Sequence, residues 1–323
     1  MRQAGFEKTI CLLFVLLITG CTPAPVESIR LGTNVWPGYE PLYLARSLGL
    51  LDEAHVKLVE FTSATSVLRA MRDHTLEAAA LTLDEALLLS QDDPDIRIVL
   101  VMDESLGADA LVARPEITSV SQLKGKRVAA ETTALGAYMI SRALEHGGLK
   151  FADIKLVSLP VNEHLAAYKR GRADAIVTFD PVRNELLHAG AHPIFDSRQI
   201  PGEIVDVLVV HADVLQKSRL RLKRLLEAWF VALQYMDEQP QEAAKRMQPR
   251  IKLPIDQLLS QYDSLKLPDL DENVELMVGE ASALSIASGN MAEMMSERNL
   301  IRERPAGSLI DASLLQSLKR QQR

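Results

Sequence analysis

The chain has 323 residues, 47% of them apolar and 24% charged, with 36 Lys and Arg against 43 Asp and Glu for a net charge of −7. That length suits two domains of ordinary size, with a core that needs no disulfide or metal to hold it. The composition excludes a disordered tail and a multi-span membrane protein, and an acidic chain with 5% aromatic residues lacks the basic face and stacking platforms that nucleic acid requires.

The first residues read as a leader. Arg2 and Lys8 flank the start, and Ile10–Thr19 is an almost continuous apolar run of ten residues, half of the roughly twenty a bilayer span takes. A charged start, a short apolar run and small residues at the exit form a secretory signal over residues 1–20. The exit Ile18-Thr19-Gly20-Cys21 resembles the bacterial lipobox, so Cys21 is expected to carry lipid as the first mature residue. Residues 21–27, rich in Pro, would then tether the body to a membrane. Cys11 leaves with the signal and Cys21 is taken by lipid, so the mature body holds no thiol: no disulfide, Cys-bound metal or thiol nucleophile. Loss of Arg2, Lys8 and Glu7 takes the net charge from −7 to −8.

The body alternates strands and helices. Ser28–Thr33 reads as a strand, Leu42–Gly49 as a helix, Val56–Phe61 as a strand, Val67–His74 as a helix, Ala78–Leu81 as a strand, Asp84–Ser90 as a helix and Ile96–Met102 as a strand. The pattern restarts with strands at Asp109–Ala113 and up to Ala130, and a helix over Leu135–Glu145 stopped by Gly147-Gly148. Further strands are expected at Ile154–Leu159, Ala175–Phe179 and Val205–Val210, with helices at Glu163–Arg170 and Val182–Ala189. From Ser218 onward the chain reads as helical, with Trp229 and Phe230 as core. Repeated βα punctuation predicts an α/β fold with mostly parallel sheets. The domain reading is residues 28–108 plus 207–323 as one lobe and 109–206 as the other. Ligands of such folds sit at strand C-termini and helix N-termini, in the crevice between lobes.

Five segments then carry a family resemblance: Trp36-Pro-Gly-Tyr-Glu40-Pro-Leu-Tyr-Leu-Ala45, Leu48-Gly-Leu-Leu51, Ala80-Leu-Thr-Leu-Asp84-Glu85, Leu123-Lys-Gly-Lys-Arg-Val128 and Gly171-Arg-Ala-Asp-Ala-Ile-Val-Thr-Phe-Asp180-Pro181. Together they resemble the bacterial substrate-binding proteins of the nitrate/sulfonate/taurine ABC-importer group, which is related to thiamine-pyrimidine biosynthesis proteins. The resemblance implies a two-lobed periplasmic-binding-protein fold of type II with a hinge. It also implies a clamp that closes over a small ligand, no chemistry and no cofactor, an ABC permease in the inner membrane as partner, and a monomer lipid-anchored on the periplasmic or cell-surface side. Two other readings stay open. One is a ligand sensor signalling to a membrane kinase or cyclase. The other is a biosynthetic enzyme, for which the fungal pyrimidine synthases of this fold carry a cysteine-rich motif that the mature chain lacks.

Nine residues are expected at the ligand. Trp36 and Tyr39 offer an aromatic wall that suits a flat, methylated or cationic ligand. Glu40 stands at a helix start before Pro41. Thr65 precedes the Val67 helix, where free N–H groups could hold an anion. Asp84 is left free by the Thr82-x-x-Glu85 capping box. Glu131 and Thr132 follow a strand and Thr133 caps the next helix. Asp180 is expected to cap the helix opened by Pro181, and Asp206 lies in the Val205–Val210 strand. Glu40, Asp84, Glu131, Asp180 and Asp206 are all acidic, with only Arg183 and Arg30 as nearby cations, so an amine-bearing or aromatic ligand is preferred over sulfonate or nitrate. Glu185, His188 and His192 stand at metal-like offsets, but Gly190 and Pro193 break that helix and no metal is expected.

Overall fold

The computed structural model describes residues 28–132 and 135–322. The expected signal segment, the tether, Cys21 and the capping Thr133 lie outside the described residues.

The chain builds one sheet, leaves it and returns. β1 (Ile29–Thr33), β2 (Val56–Glu60) and β3 (Ala78–Thr82) lie parallel with β1 in the middle, linked by α1 (Glu40–Ser47) and α2 (Ala64–Arg72). β3 leads directly into α3 (Leu83–Leu89), and β4 (Ile96–Ser105) follows. Both of the first two helices begin earlier than their apolar spacing suggests. Pro41 sits in the first turn of α1, where its missing N–H costs nothing. The Ser63 hydroxyl accepts the Ser66 N–H at 3.3 Å, so α2 starts at Ala64 rather than Val67.

The chain then enters a second sheet. β5 (Asp109–Ala113), β6 (Arg127–Ala130), α4 (Leu135–His146), β7 (Lys155–Ser158), α5 (His164–Lys169), β8 (Ala175–Phe179), α6 (Val182–His188) and β9 (His192–Asp196) form it in the order β7-β6-β8-β5-β9. β9 was not expected from sequence. It carries Pro193, which an edge strand tolerates because one side of its ladder is unpaired. Around Ala110, Val112, Ala129, Ile176 and Leu186 this lobe has its own apolar cluster.

β10 (Val205–His211) returns to the first sheet and runs antiparallel between β3 and β4. The strand is already in that sheet at Val205, so Asp206 belongs with the first lobe and not, as expected, with the second. The rest is helical: α7 (Ala212–Lys217), α8 (Arg219–Glu238), α9 (Pro240–Ile251), α10 (Ile255–Gln261), the two-residue β11 (Leu265–Lys266), α11 (Leu270–Met277), α12 (Ala283–Glu297) and α13 (Ser313–Gln321). The first sheet therefore reads β11-β4-β10-β3-β1-β2. Leu222, Leu225, Leu226 and Trp229 of α8 are buried, whereas Phe230 is only half-buried against the core.

Two arginines and a serine pair fix this arrangement. Arg250 of α9 pairs with the buried Glu40, lies 3.6 Å from the Tyr43 ring centre and reaches Glu60 at 2.7 Å. Arg298, just past α12, bonds Ser141 and Glu145 of α4 in the other lobe, the latter at 2.6 Å. Where the chain crosses between lobes, Ser105 and Ser197 hydroxyls meet at 2.8 Å and Ser197 accepts the Gly107 N–H at 2.6 Å.

Candidate functional site

Between the lobes lies a narrow cleft. From the first lobe, Asn34, Trp36, Tyr39, Thr82, Glu85 and Asp206 line it; Asp109, Glu131, His164 and Phe179 are among the lining residues of the second. Trp36 and Phe179 meet edge to face across the lobes, centroids 5.6 Å apart.

The floor is acidic by construction. Asp206 and Asp103 are direct cross-strand partners on β10 and β4, so two carboxylates share one face. Trp36 Nε1–H donates to Asp103 Oδ2 at 3.1 Å, and the Tyr39 hydroxyl donates to Asp206 Oδ1. Close approach here depends on Gly38, where a Cβ would lie 1.8 Å from Asp103 Oδ2. Burial pushes Asp103 up to about 7, and Asp109 adds to this while the Trp36 bond opposes it. Burial, then the Asp103 charge, holds Asp206 well above the usual carboxylate range. Asp109, opposite Phe179 at the start of β5, is likewise pushed to about 7 by burial. Its Oδ2, like Asp103 Oδ1, is buried with no hydrogen-bond partner. Burial also raises Tyr39 well above its ordinary value, so its hydroxyl stays a donor. His164 is held neutral at about 4 by burial, and both ring nitrogens are engaged, Nδ1 with Thr178 Oγ1 and Nε2 with the Leu159 carbonyl, each at 3.2 Å.

One carboxylate spans the cleft. Glu131 Oε1 accepts the Thr65 N–H at 2.7 Å and the Thr65 hydroxyl, and its Oε2 accepts the Val161 N–H at 3.3 Å. The N-terminus of α2, where the sequence suggested an anion could dock, holds the protein's own carboxylate.

Of the nine expected residues, Trp36, Tyr39, Glu131 and Asp206 line the cleft. Thr65 sits behind Glu131 as its donor. The other four are not among the lining residues. Glu40 is committed to Arg250, because a fully buried carboxylate needs a partner. Asp84 is buried at the start of α3, where burial raises it to about 6. Thr132 turns to Ser158, oxygen to oxygen at 2.6 Å. Asp180 accepts the Asn184 N–H of α6 at 3.3 Å and pairs with Arg183 at 3.3 Å; Pro181 is the residue before the helix rather than its first. Glu85 accepts the Thr82 N–H at 3.1 Å, one half of the expected capping box, and both residues also border the cleft. Sequence reasoning missed Asp103, Asp109, His164 and Phe179. A carboxylate at the end of an apolar strand and another opening the next were the available signals.

The profile of the NMT1-like family matches residues 22–251. Over 161 residues the chain is 27% identical to the taurine-binding periplasmic protein of Escherichia coli K12, covering 49% of this chain and 50% of that one; the chain thus spans about half the length of this curated relative. The alkanesulfonate-binding protein SsuA from Xanthomonas axonopodis pv. citri, solved bound to MOPS, superposes with a TM-score of 0.75 at 18% identity, over 89% of this chain and 99% of that one. The desulfurization enzyme DSZB also shares the fold, with a TM-score of 0.66 at 18% identity over 92% of this chain and 100% of that chain. The fold is thus that of the two-lobed periplasmic binding proteins. Among the described residues no helix is long and apolar enough to cross a membrane.

Proposed function

The chain belongs to the NMT1-like family, and we propose that it is an extracytoplasmic solute-binding protein that captures a small amine-bearing molecule in its interlobe cleft and presents it to the permease of an ABC importer. The observation that carries the amine is Asp109: a buried carboxylate bordering the cleft, one oxygen unpartnered, beside Asp206 and an aromatic wall. An ammonium group offers up to three donors and the charge that such a floor lacks, and Trp36 and Phe179 suit its cationic face. Taurine, which the Escherichia coli relative is named for, carries an amine as well as a sulfonate. The anion end is the poorer match, because Glu131 already fills the α2 N-terminus.

This reading makes the chain a binder rather than a catalyst. His164 has both nitrogens engaged, and the two cysteines of the sequence, Cys11 and Cys21, precede the described residues. Residues 1–20 act as the signal and Cys21 as the lipid anchor of a monomer. Cys21→Ser should release the protein from the membrane fraction or leave it unprocessed; mature-size variant in membranes would refute the anchor.

The function is tested by thermal-shift and calorimetric screening of amines, aminopyrimidines, sulfonates and oxyanions. A true ligand at 100 times its Kd stabilises by about 2.7 kcal/mol. Saturable binding of an amine with proton release is the expected result, and binding confined to amine-free sulfonates or oxyanions would overturn the proposed ligand class.

A further inference from the structure

At the opposite end of β10 from Asp206, three side chains from separate segments converge. His211 closes the strand, Asp93 lies in the loop between α3 and β4, and His74 lies in the turn after α2. One ligating atom from each lies within 4.8 Å of the other two. His211 is only 5% exposed. Its Nδ1 is 2.7 Å from Asp93 Oδ2, while its Nε2 is buried with no hydrogen-bond partner. The exposed His74 ring faces it, centroids 4.6 Å apart and planes 32° apart.

We propose that His74, Asp93 and His211 form a binding site for a divalent transition-metal ion of the zinc class, separate from the interlobe cleft. With the Nδ1 proton donated to Asp93, His211 Nε2 keeps an unused lone pair, and the His74 ring lies beside it. A carboxylate that orients an imidazole in this way is the usual support of a metal-bound histidine. The unpartnered nitrogen is then explained: a buried acceptor left without a partner is unfavourable, and a metal ion is a partner that this position can take. Two imidazoles favour zinc, nickel or copper over magnesium or calcium, which prefer all-oxygen sites.

Ligands bound at about 2.0–2.1 Å in a tetrahedron stand roughly 3.3 Å apart, so the cluster need contract by no more than about 1.5 Å. His74 supplies that movement. Its side chain is exposed, whereas its backbone is fixed in a left-handed turn at φ 51°, with its N–H donating to the Met71 carbonyl at 3.0 Å. Water completes the coordination. An ion held here would tie the α2–β3 turn and the α3–β4 loop to the end of β10.

The test uses the full chain stripped of metal with a chelator, titrated with Co2+ as a coloured stand-in and then with Zn2+. The expected result is one saturable equivalent of Co2+ with visible absorption bands, displaced by Zn2+. The His74→Ala chain should lose at least tenfold in affinity without a change in its metal-free thermal midpoint, because His74 is exposed. Asp93→Asn should lose about 10–100-fold. If His211→Ala fails to fold, His74→Ala still decides the matter. Absence of a saturable equivalent, or wild-type Co2+ affinity in the His74→Ala chain, would overturn the site.

Discussion

Asp109→Asn separates the roles of charge and shape in the cleft. Burial lifts this carboxyl from 3.8 to about 7, a displacement worth on the order of 4 kcal/mol at about 1.4 kcal/mol per pH unit. The sign follows from proton linkage. Below pH 3.8 the group is protonated in both the folded and the unfolded chain, so Asp and Asn behave alike. Between 3.8 and about 7 the unfolded chain gives up the proton while the folded chain keeps it, and stability falls as pH rises. Above about 7 the penalty is constant. Asn mimics the neutral acid, so the variant should be more stable than wild type by up to about 4 kcal/mol at pH 8 and nearly equal to it at pH 4. Removing this charge should also relieve Asp103 and Asp206, which it helps to raise. The same change should weaken an amine ligand by about 2 kcal/mol or more, roughly thirtyfold, since one partner of a desolvated charge pair is gone. In wild type, amine affinity should climb up to tenfold per pH unit between 5 and 7 and then level off, as one proton leaves on binding. Urea unfolding of the ligand-free chain at the two pH values, with calorimetry on the ligand, measures all three quantities. A stability gain equal at pH 4 and pH 8, or undiminished amine affinity in the variant, would refute the reasoning.

Three further outcomes follow from named contacts. Trp36→Ala removes the Asp103 donor and the Phe179 contact; ligand affinity measured by calorimetry should fall by about 1–3 kcal/mol. Arg250→Ala strands Glu40, which is fully buried, so urea unfolding should show a loss of about 3–5 kcal/mol, largely recovered by pairing the change with Glu40→Gln. Arg298→Ala frees α4 from α12; small-angle scattering should show a larger radius for the ligand-free chain, with stability changed by about 1 kcal/mol or less for so accessible a pair.

The alternation of strands and helices was legible because most strands here are short apolar runs bounded by turns. β4 shows where legibility stops. Its expected end was Met102, since Asp-Glu-Ser reads as a loop, yet the strand runs to Ser105 because Trp36, 67 residues earlier, supplies the N–H that lets Asp103 be buried. β9 escaped notice for the opposite reason: Pro193 disqualifies a central strand but not an edge. In the cleft, Trp36 and Tyr39 were legible from their place after β1. Glu40 looked the same by position, and only the fold reveals Arg250 waiting 210 residues downstream. Asp180 stands one residue further outside its helix than its position suggested, and its carboxylate is used up locally by Asn184 and Arg183.

The Glu131 bridge gives this clamp a resident guest. An oxyanion seeking the start of α2 must evict a carboxylate that already holds the Thr65 N–H and hydroxyl, and charge-assisted bonds of this kind are each worth about 1.5–3 kcal/mol. Such an oxyanion is thereby met by an incumbent rather than a vacancy. A cationic guest pays no such toll, because it enters beside the incumbent and is attracted by it. On the proposed amine reading, discrimination would rest as much on the seat the protein keeps taken as on the seat it leaves open.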